Sequence, residues 1–313
     1  MNKVLIADSV SSAVSEVFDK NGIAYDTKIG LSEDELATEI TEYSGLIVRS
    51  AVTVTEKIIN SASNLKVIGR PGVGVDNVDL KAATNNGIVV MNTPLGNVQA
   101  TAELTFGIMH SLMRKISNAN QSMHQKKWEK KKFIGNEMYG KTIGIIGFGN
   151  IGKKVSQIAH AYGMNVLVYS ASISPEDEKK FNVTNQSIDD ILEGADIITF
   201  HNKLSENSKY LINSNAIIKM KKNAIIINCA RGGLVNEKDI KEALEKGNIA
   251  GYGCDVYENE PEQDSIFSSM DNVVMTPHIG ASTIEAQEKV AYQIAEQIVE
   301  FLKNNKIINQ VNK

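Results

Sequence analysis

The chain has 313 residues and a formal net charge of −4, which is enough chain for two domains with sizeable cores. This mildly acidic balance gives no indication of a nucleic-acid or anionic-membrane partner. The two cysteines, Cys229 and Cys254, lie in apolar segments and predict reduced, buried thiols rather than a disulfide framework. The first strand reaches Asp8 before a signal-peptide core could form, and no apolar run approaches the ~20 residues that cross a bilayer, so we expect a soluble cytoplasmic protein.

Strand-like and helix-like segments alternate from the beginning of the chain, which favours parallel sheets covered by helices. From Gly96 to about Asn120, apolar residues at near four-residue spacing predict one long helix. Before this helix, the predicted strands are Lys3–Ala7, Ala24–Lys28, Gly45–Arg49, Lys66–Gly69 and Ile88–Met91.

A second alternating set of segments follows the long helix. Its predicted strands are Thr142–Ile146, Asn165–Tyr169, Asp196–Phe200, Ala224–Asn228, Ile249–Gly253 and Val273–Thr276. The last helical pattern, Ile284 to Leu302, has no sheet left to extend in this second set. We therefore expect the final helix to return and pack on the first domain.

The segment from Gly147 to Gly152 reads G-x-G-x-x-G, directly after an apolar strand and before an amphipathic helix. Gly147 permits a tight turn, Gly149 lets the backbone approach a pyrophosphate, and Gly152 lets the helix pack close to the strand. The helix N-terminus then faces the phosphates. This context predicts a dinucleotide site rather than a chance glycine match.

These observations predict an α/β protein with two Rossmann-like, doubly wound parallel-sheet domains, the first of them discontinuous. Residues 1–93 plus 283–313 form the expected flavodoxin-like, substrate-binding domain. Residues 94–282 form the expected dinucleotide-binding Rossmann domain, with hinges near Thr93 and Ser282.

Ser170 stands where a fold that takes NAD usually ends its second strand with Asp or Glu, which binds the ribose hydroxyls. A hydroxyl can bond a ribose oxygen, but it does not repel a 2′-phosphate as a carboxylate does. No Arg occupies the two positions after Ser170 to bind that phosphate. The choice between NAD and NADP therefore stays open at this residue.

Three predicted strands of the second domain are followed by ionisable groups, Arg231, Glu260 and His278. Oxidation of a hydroxyl to a carbonyl needs a base for the hydroxyl proton, and the reverse reaction needs an acid. A His serves both needs near neutral pH, and a carboxylate beside it orients the ring and favours its protonated form. An Arg binds a substrate carboxylate in bidentate fashion. The pattern predicts dehydrogenase chemistry at the edge where the strands end.

The charge-dense segment Lys126–Lys132 has two interpretations. It is either a solvated helix end or a cationic arm that helps hold an anionic substrate.

Seven segments carry a resemblance to a known family: Gly45–Ser50, Val67–Asp79, Val90–Pro94, Ala102–Thr105, Trp128–Phe133, Asn228–Gly233 and Pro277–Thr283. Along essentially its whole length, the chain resembles the D-isomer-specific 2-hydroxyacid dehydrogenases. The resemblance implies that His278 is the acid/base, paired with Glu260, and that Arg231 holds the carboxylate and hydroxyl oxygen of the substrate. No metal is expected.

NAD is the cofactor that the resemblance implies. Asn150 and Ile151 are expected at the pyrophosphate, Asp255 at the nicotinamide amide, and His201 and Asn202 on the adenosine side. The full set of implied cofactor contacts is Val73, Gly147, Gly149, Asn150, Ile151, Gly152, Ser170, His201, Asn202, Cys229, Ala230, Asp255, Gly280 and Ala281. The segment His201–Lys203 departs from the usual His-x-Pro of the family, and Lys203 could compensate a 2′-phosphate.

The substrate that the resemblance implies is a small phosphorylated 2-hydroxy acid. Arg49 and Arg70 come at the ends of consecutive strands, with no acidic residue beside them, and are the expected phosphate ligands. A lysine of the 130–132 run is expected to reach the site of a partner subunit in a homodimer. The full set of implied substrate contacts is Arg49, Arg70, Val73, Gly74, Lys130 and Arg231.

Two alternatives to this NAD-dependent oxidation stay open. One is an NADPH-dependent reductase of hydroxypyruvate or glyoxylate, and the other is a non-catalytic binding protein that senses NAD(H). The chain stops shortly after Asn309, so extra C-terminal regulatory domains are not expected.

Overall fold

The apolar runs form two parallel sheets in a computed structural model that describes residues 2–312. The elements of the first part of the chain are β1 (Lys3–Ile6), α1 (Ala13–Asn21), β2 (Ala24–Thr27), α2 (Glu33–Glu39), β3 (Gly45–Ile47), α3 (Glu56–Ser61), β4 (Val67–Arg70), α4 (Leu80–Asn85) and β5 (Val89–Asn92). Their strands make a five-stranded sheet in the order β2-β1-β3-β4-β5, with every pair parallel. This is the flavodoxin-like order.

A second set of elements forms the larger sheet. They are α5 (Val98–Arg114), α6 (Ile116–His124), β6 (Thr142–Ile146), α7 (Asn150–Ala161), β7 (Asn165–Tyr169), α8 (Pro175–Phe181), β8 (Thr184–Asn185), α9 (Ile188–Gly194), β9 (Ile197–Phe200), α10 (Ser214–Lys219), β10 (Ile225–Asn228), α11 (Glu237–Glu245), β11 (Gly251–Cys254) and β12 (Val273–Met275). The strand order is β12-β11-β10-β9-β6-β7-β8, again with every pair parallel. The predicted α/β class with two Rossmann-like parallel sheets is confirmed.

The chain divides into two compact units, and each has its own core. The first unit consists of the residues up to Val98 and from Ala281 onward, and the second is Gln99–Gly280. These boundaries differ from the hinges expected near Thr93 and Ser282 by a few residues.

The last helix, α12 (Ile284–Asn304), lies in the first unit, where it packs on α1 and β4. Thr283 caps it, since its side chain accepts a hydrogen bond from the backbone N–H of Ala286 at 3.1 Å. A Cβ added to Gly69 in β4 would lie 2.7 and 2.8 Å from atoms of Ile298 and Ile294. Glycine at this position therefore lets α12 approach the sheet closely.

The prediction of one long helix from Gly96 to Asn120 is wrong. Lys115 adopts a left-handed conformation with φ of 52° and separates α5 from α6. In a continuous helix the carbonyl of Met113 would accept a hydrogen bond from Ser117, but here it accepts one from the backbone N–H of Asn136 at 2.8 Å. A contact from a distant segment thus ends the helix, and apolar spacing carries no sign of such a contact.

None of the helices within residues 2–312 is both long enough and apolar enough to span a bilayer.

Candidate active site

The carboxyl ends of six strands of the second sheet carry most of the residues that the sequence singles out. Because all strands in this sheet are parallel, these ends lie at one edge, where open α/β sheets bind ligands. The residues are Gly147 after β6, Ser170 after β7, His201 after β9, Cys229–Arg231 after β10, Asp255 after β11 and His278 after β12.

The strand order reverses between β6 and β9, and Gly147 lies at this point with φ of 97°. A Cβ added to Gly147 would lie 2.5 Å from the backbone nitrogen of Asn202 and 2.6 Å from the carbonyl carbon of His201. Only glycine therefore allows the turn after β6 to lie against the end of β9.

The other two glycines of the motif differ in what surrounds them. A Cβ on Gly152 would lie 2.1 Å from the carbonyl oxygen of Gly147, so helix α7 starts in backbone contact with the turn. A Cβ on Gly149, the N-cap of α7, would meet nothing within 4 Å. The first turn of α7 holds no acidic residue. Open space beside a helix N-terminus free of negative charge suits a pyrophosphate.

His201 and Asn202 place buried polar atoms next to this turn. Nε2 of His201 lies 3.0 Å from the hydroxyl of Thr199, and burial lowers the pKa of His201 to about 3, so its ring is neutral. Nδ1 of His201 and Oδ1 of Asn202 are buried, and neither has a hydrogen-bond partner within residues 2–312. Buried polar atoms are normally paired, so these two atoms are suited to a ligand that completes their hydrogen bonds.

Ser170 follows β7, with its backbone N–H 3.1 Å from Oδ1 of Asn185. Its hydroxyl lies 3.4 Å from that of Ser172. Lys203, which the sequence suggests as a phosphate partner, is exposed.

Arg231 lies in a loop that Asn228 holds after β10. The fully buried Asn228 side chain donates to the carbonyl of Arg231 at 2.9 Å and accepts from the backbone N–H of Ala230 at 3.1 Å. Nη1 of Arg231 donates to the carbonyl of Ala230 at 2.6 Å. A Cβ added to Gly232 would lie 1.9 Å from the carbonyl carbon of Tyr257. The loop of Arg231 is therefore in backbone contact with the loop that leads to Glu260.

His278 and Glu260 form a direct pair. Nδ1 of His278 lies 2.6 Å from Oε2 of Glu260, and because a carboxylate only accepts, the ring donates through Nδ1–H. The hydrogen bond to Glu260 raises the pKa of His278 and outweighs burial; Asp255 also acts to raise it, and Arg231 to lower it. Burial acts to raise the pKa of Glu260, but hydrogen bonds from His278 and the Tyr257 N–H lower it overall. This tautomer leaves Nε2 of His278 as the proton-accepting nitrogen.

Replacement of Glu260 by Gln should lower the apparent pKa of His278, because the imidazolium loses its anionic neighbour. Oxidation needs the neutral ring as base, so the rise of kcat/KM for oxidation with increasing pH should occur at a lower pH than in the wild type. Reduction needs the protonated ring, so its loss of activity with increasing pH should also move to lower pH. Rates measured across pH in both directions check this, and an unchanged profile would remove Glu260 from the acid/base unit.

Asp255 is almost fully buried, and hydrogen bonds within the second unit reach both of its carboxylate oxygens. Oδ1 accepts from the hydroxyl of Thr276 at 2.6 Å and from the backbone N–H of Ile279 at 2.7 Å, while Oδ2 accepts from Gly280 at 2.8 Å. Burial raises the pKa of Asp255 despite these bonds. Asp255 holds the loop that carries His278, and its expected contact with nicotinamide stays a prediction.

Cys229 and Cys254 lie beneath the same edge as neutral thiols. Burial raises the pKa of each to about 12.

The expected phosphate ligands Arg49 and Arg70 lie in the first unit, after β3 and at the end of β4. The premise that no acidic residue lies beside them is wrong for Arg49. Oδ2 of Asp8, in the loop after β1, accepts from the backbone N–H of Arg49 at 3.0 Å. Asp8 is far from Arg49 in sequence, and the parallel pairing of β1 with β3 brings them together. Nη1 of Arg49 donates to the carbonyl of Ser9 at 3.1 Å.

The loop with Val73 and Gly74 follows β4 in the same unit. The carbonyl of Val73 accepts from the side chain of Asn92 at 2.6 Å, and Thr93 bonds the backbone N–H of Gly72 at 2.7 Å. These bonds from the end of β5 fix the loop. Lys130, in the second unit, is exposed.

Several residues that shape the site are not singled out by the sequence analysis: Asn185, Thr199, Asn228, Tyr257 and Thr276. Asn228 and Thr276 are polar residues at strand ends, which is a signal that could have found them. Tyr257 and Asn185 act through contacts to distant segments, which no local pattern reveals.

Within residues 2–312, no group of three or more His, Cys, Asp or Glu side chains is placed to hold a metal ion.

The chain is similar in sequence to a known family of enzymes. Residues 106–280 match the family model described as D-isomer specific 2-hydroxyacid dehydrogenase, NAD binding domain. The chain is 42% identical over 314 residues to the D-3-phosphoglycerate dehydrogenase of Bacillus subtilis, and the match covers all of this chain and 59% of that protein. The chain thus spans about three-fifths of the length of this curated relative.

Two solved structures share the fold over nearly the whole chain. A protein from Thermus thermophilus is 30% identical with a TM-score of 0.91, and the match covers 99% of each chain. The NAD+-bound 3-phosphoglycerate dehydrogenase of Entamoeba histolytica is 28% identical with a TM-score of 0.84, covering 100% of this chain and 99% of that one.

Proposed function

The chain belongs to the D-isomer specific 2-hydroxyacid dehydrogenase family, as its sequence resemblance predicts, and we propose that it oxidises D-3-phosphoglycerate with NAD. The product is 3-phosphohydroxypyruvate, and the reaction is the first step of serine synthesis. The observation that carries the proposal is the 2.6 Å pair of His278 and Glu260, on the sheet edge that also holds the glycine motif.

In this proposal the chain's own groups manage the proton and the substrate's charges. Nε2 of His278 takes the hydroxyl proton, and Glu260 stabilises the imidazolium that forms. Arg231 binds the substrate carboxylate and polarises the oxygen that becomes the carbonyl. Bound NAD would supply the acceptor for the hydride of the carbinol carbon.

The glycine turn and the end of β9 are suited to NAD. The open side of Gly149 leaves room for the pyrophosphate, and the backbone of Asn150 and Ile151 starts the helix beside it. The unpaired atoms of His201 and Asn202 are suited to the adenosine side. In the first unit, we propose Arg49 and Arg70 as phosphate ligands.

A steady-state assay tests the proposal. The substrates are 3-phosphoglycerate for oxidation and hydroxypyruvate and glyoxylate for reduction, each with both nicotinamide cofactors. We expect turnover of 3-phosphoglycerate with NAD. Reduction of hydroxypyruvate or glyoxylate without turnover of 3-phosphoglycerate would replace the proposal with the reductase alternative, which Ser170 favours. Binding of NAD(H) without any turnover would favour a sensing protein.

Replacement of Ser170 by Asp should sharpen the preference for NAD over NADP. We expect the wild type to prefer NAD weakly, because a carboxylate at this place would repel a 2′-phosphate by about 1 kcal/mol or more and serine does not. Measurement of kcat/KM for both cofactors checks this. Ser63→Asp, an exposed position in the first unit, adds the same charge as a control. A wild type that strongly prefers NADP would contradict the NAD assignment, and an unchanged ratio in Ser170→Asp would place Ser170 away from the ribose.

We also propose that the protein is a homodimer. Three large side chains between residues 128 and 139 of the second unit are exposed: Trp128 by 82%, Ile134 by 76% and Tyr139 by 79%. Large apolar side chains exposed this close together in the chain favour an interface with a second copy. Sedimentation equilibrium of the wild type and of the double variant Trp128→Ser/Ile134→Ser tests the dimer. A monomeric wild type would contradict it.

A further inference from the structure

Tyr257 lies between the two loops that supply the acid/base pair. Its backbone N–H donates to Oε1 of Glu260 at 3.0 Å. Its hydroxyl donates to the carbonyl of Thr276 at 2.9 Å, two residues before His278. One residue therefore contacts the Glu260 carboxylate through its main chain and the His278 loop through its side chain.

The carbonyl of Thr276 fixes the position of His278 through two hydrogen bonds. It accepts the hydroxyl of Tyr257 and also the backbone N–H of His278 itself, at 3.1 Å. His278 adopts a left-handed backbone conformation with φ of 52°, which is unfavourable for a residue with a side chain. Asp255 holds the other side of the loop through the N–H groups of Ile279 and Gly280. A strained turn of this kind persists only when its surroundings hold it, and Tyr257 supplies the contact on the Glu260 side.

The hydroxyl of Tyr257 remains a hydrogen-bond donor at every pH at which His278 titrates. Burial raises the pKa of Tyr257, and Cys254 and Asp255 nearby act in the same direction. The group therefore stays protonated wherever His278 titrates, and the hydrogen bond to Thr276 is kept throughout that pH range.

Contacts of the main chain fix the position of Tyr257. Gly232 lies against its main-chain carbonyl, and the backbone N–H of the next residue, Glu258, donates to Oε1 of Glu237 at 3.1 Å. The loop of Glu260 therefore follows a movement of the Thr276 carbonyl only through the hydrogen bond from the Tyr257 hydroxyl.

We propose that Tyr257 is a positioning residue, whose hydroxyl holds the His278 loop at hydrogen-bond distance from Glu260. The proposal rests on the function proposed above for its catalytic consequence, but the positioning itself concerns only the His278–Glu260 pair.

Tyr257→Phe tests the proposal, because it removes only the hydroxyl and keeps both the ring and the backbone N–H to Glu260. Loss of one neutral hydrogen bond should lower kcat roughly threefold to tenfold, with KM for NAD unchanged. The pKa of His278 should fall, because its coupling to Glu260 weakens while the opposing charge of Arg231 stays and Asp255 keeps its place. The pH dependence of kcat and an NMR titration of the His278 imidazole both measure this shift. Comparison with the His278→Ala spectrum identifies the His278 resonance among those of the five histidines.

Tyr210→Phe is the matched control. It removes a tyrosine hydroxyl that bonds the same loop, at Glu258, but has no bond to the His278 loop. We expect wild-type kcat and a wild-type His278 pKa from this variant. Equal changes in both variants would show general loosening of the loop and overturn the proposal, as would a wild-type pKa of His278 in a folded Tyr257→Phe.

The NMR titration needs no substrate, so it separates the two proposals. A lowered His278 pKa in Tyr257→Phe supports the positioning role even if the wild type does not turn over 3-phosphoglycerate, a result that would overturn only the proposed function.

Discussion

Replacement of His278 by Ala is expected to lower kcat at least ~100-fold in both reaction directions, as loss of a general acid/base does. The expectation follows from the hydrogen bond between Nδ1 and Glu260, which leaves Nε2 of His278 to exchange the hydroxyl proton. The half-exposed side chain of His278 carries little of the core, so the variant should fold and bind NAD as the wild type does.

Single-turnover rates and NAD titration of His278→Ala measure these two quantities separately. His124→Ala, at an exposed histidine in α6, is the matched control and should keep wild-type kcat. A His278 variant with kcat within a few-fold of the wild type would assign the proton transfer to another group.

Replacement of Gly232 by Ala should cost both stability and activity. The added Cβ would lie 1.9 Å from the carbonyl carbon of Tyr257 and 2.0 Å from its oxygen. Both atoms belong to the main chain, so no side chain can rotate away and the two loops must separate. Overpacking of this kind typically costs about 1–3 kcal/mol, and the separation moves Arg231 away from Glu260.

Thermal unfolding and kcat/KM of Gly232→Ala check this prediction. Gly107→Ala is the control, because Gly107 is an exposed residue in α5 whose added Cβ would meet nothing within 4 Å. Alanine in a helix interior should raise stability there by roughly 0.5–1 kcal/mol. A Gly232→Ala protein as stable and active as the wild type would show that the two loops adapt without loss.

The sequence predicts those parts of the site that depend on local spacing. Gly147 and Gly152 are recognisable because a tight turn and a close helix start demand glycine at fixed positions, and the structure gives each a neighbour that excludes a Cβ. Arg231 and His278 are recognisable because each follows an apolar strand. Parallel strands then bring such ends to one edge without further information.

Contacts between segments distant in sequence are what the pattern misses. The break at Lys115 depends on Asn136, whose backbone N–H donates to the Met113 carbonyl. The carboxylate beside Arg49 comes from Asp8, in the loop after β1. Tyr257 reads as an ordinary loop residue until the Thr276 carbonyl is seen beside its hydroxyl. Each of these depends on a tertiary position that residue type and periodicity do not encode.

The return of the chain to its first sheet determines the order in which the units can form on the ribosome. Domains generally fold from the amino terminus onward as they are synthesised. Here one face of β4 stays uncovered until Ile294 and Ile298 emerge, and β5 lacks the Asn312 side chain that accepts the Val90 N–H at 2.7 Å. The second unit is one continuous stretch, Gln99–Gly280, so it is complete while the first still exposes apolar surface. The part of the protein that is translated first is therefore the part that matures last, and a nascent chain arrested before α12 would be the form that depends on a chaperone.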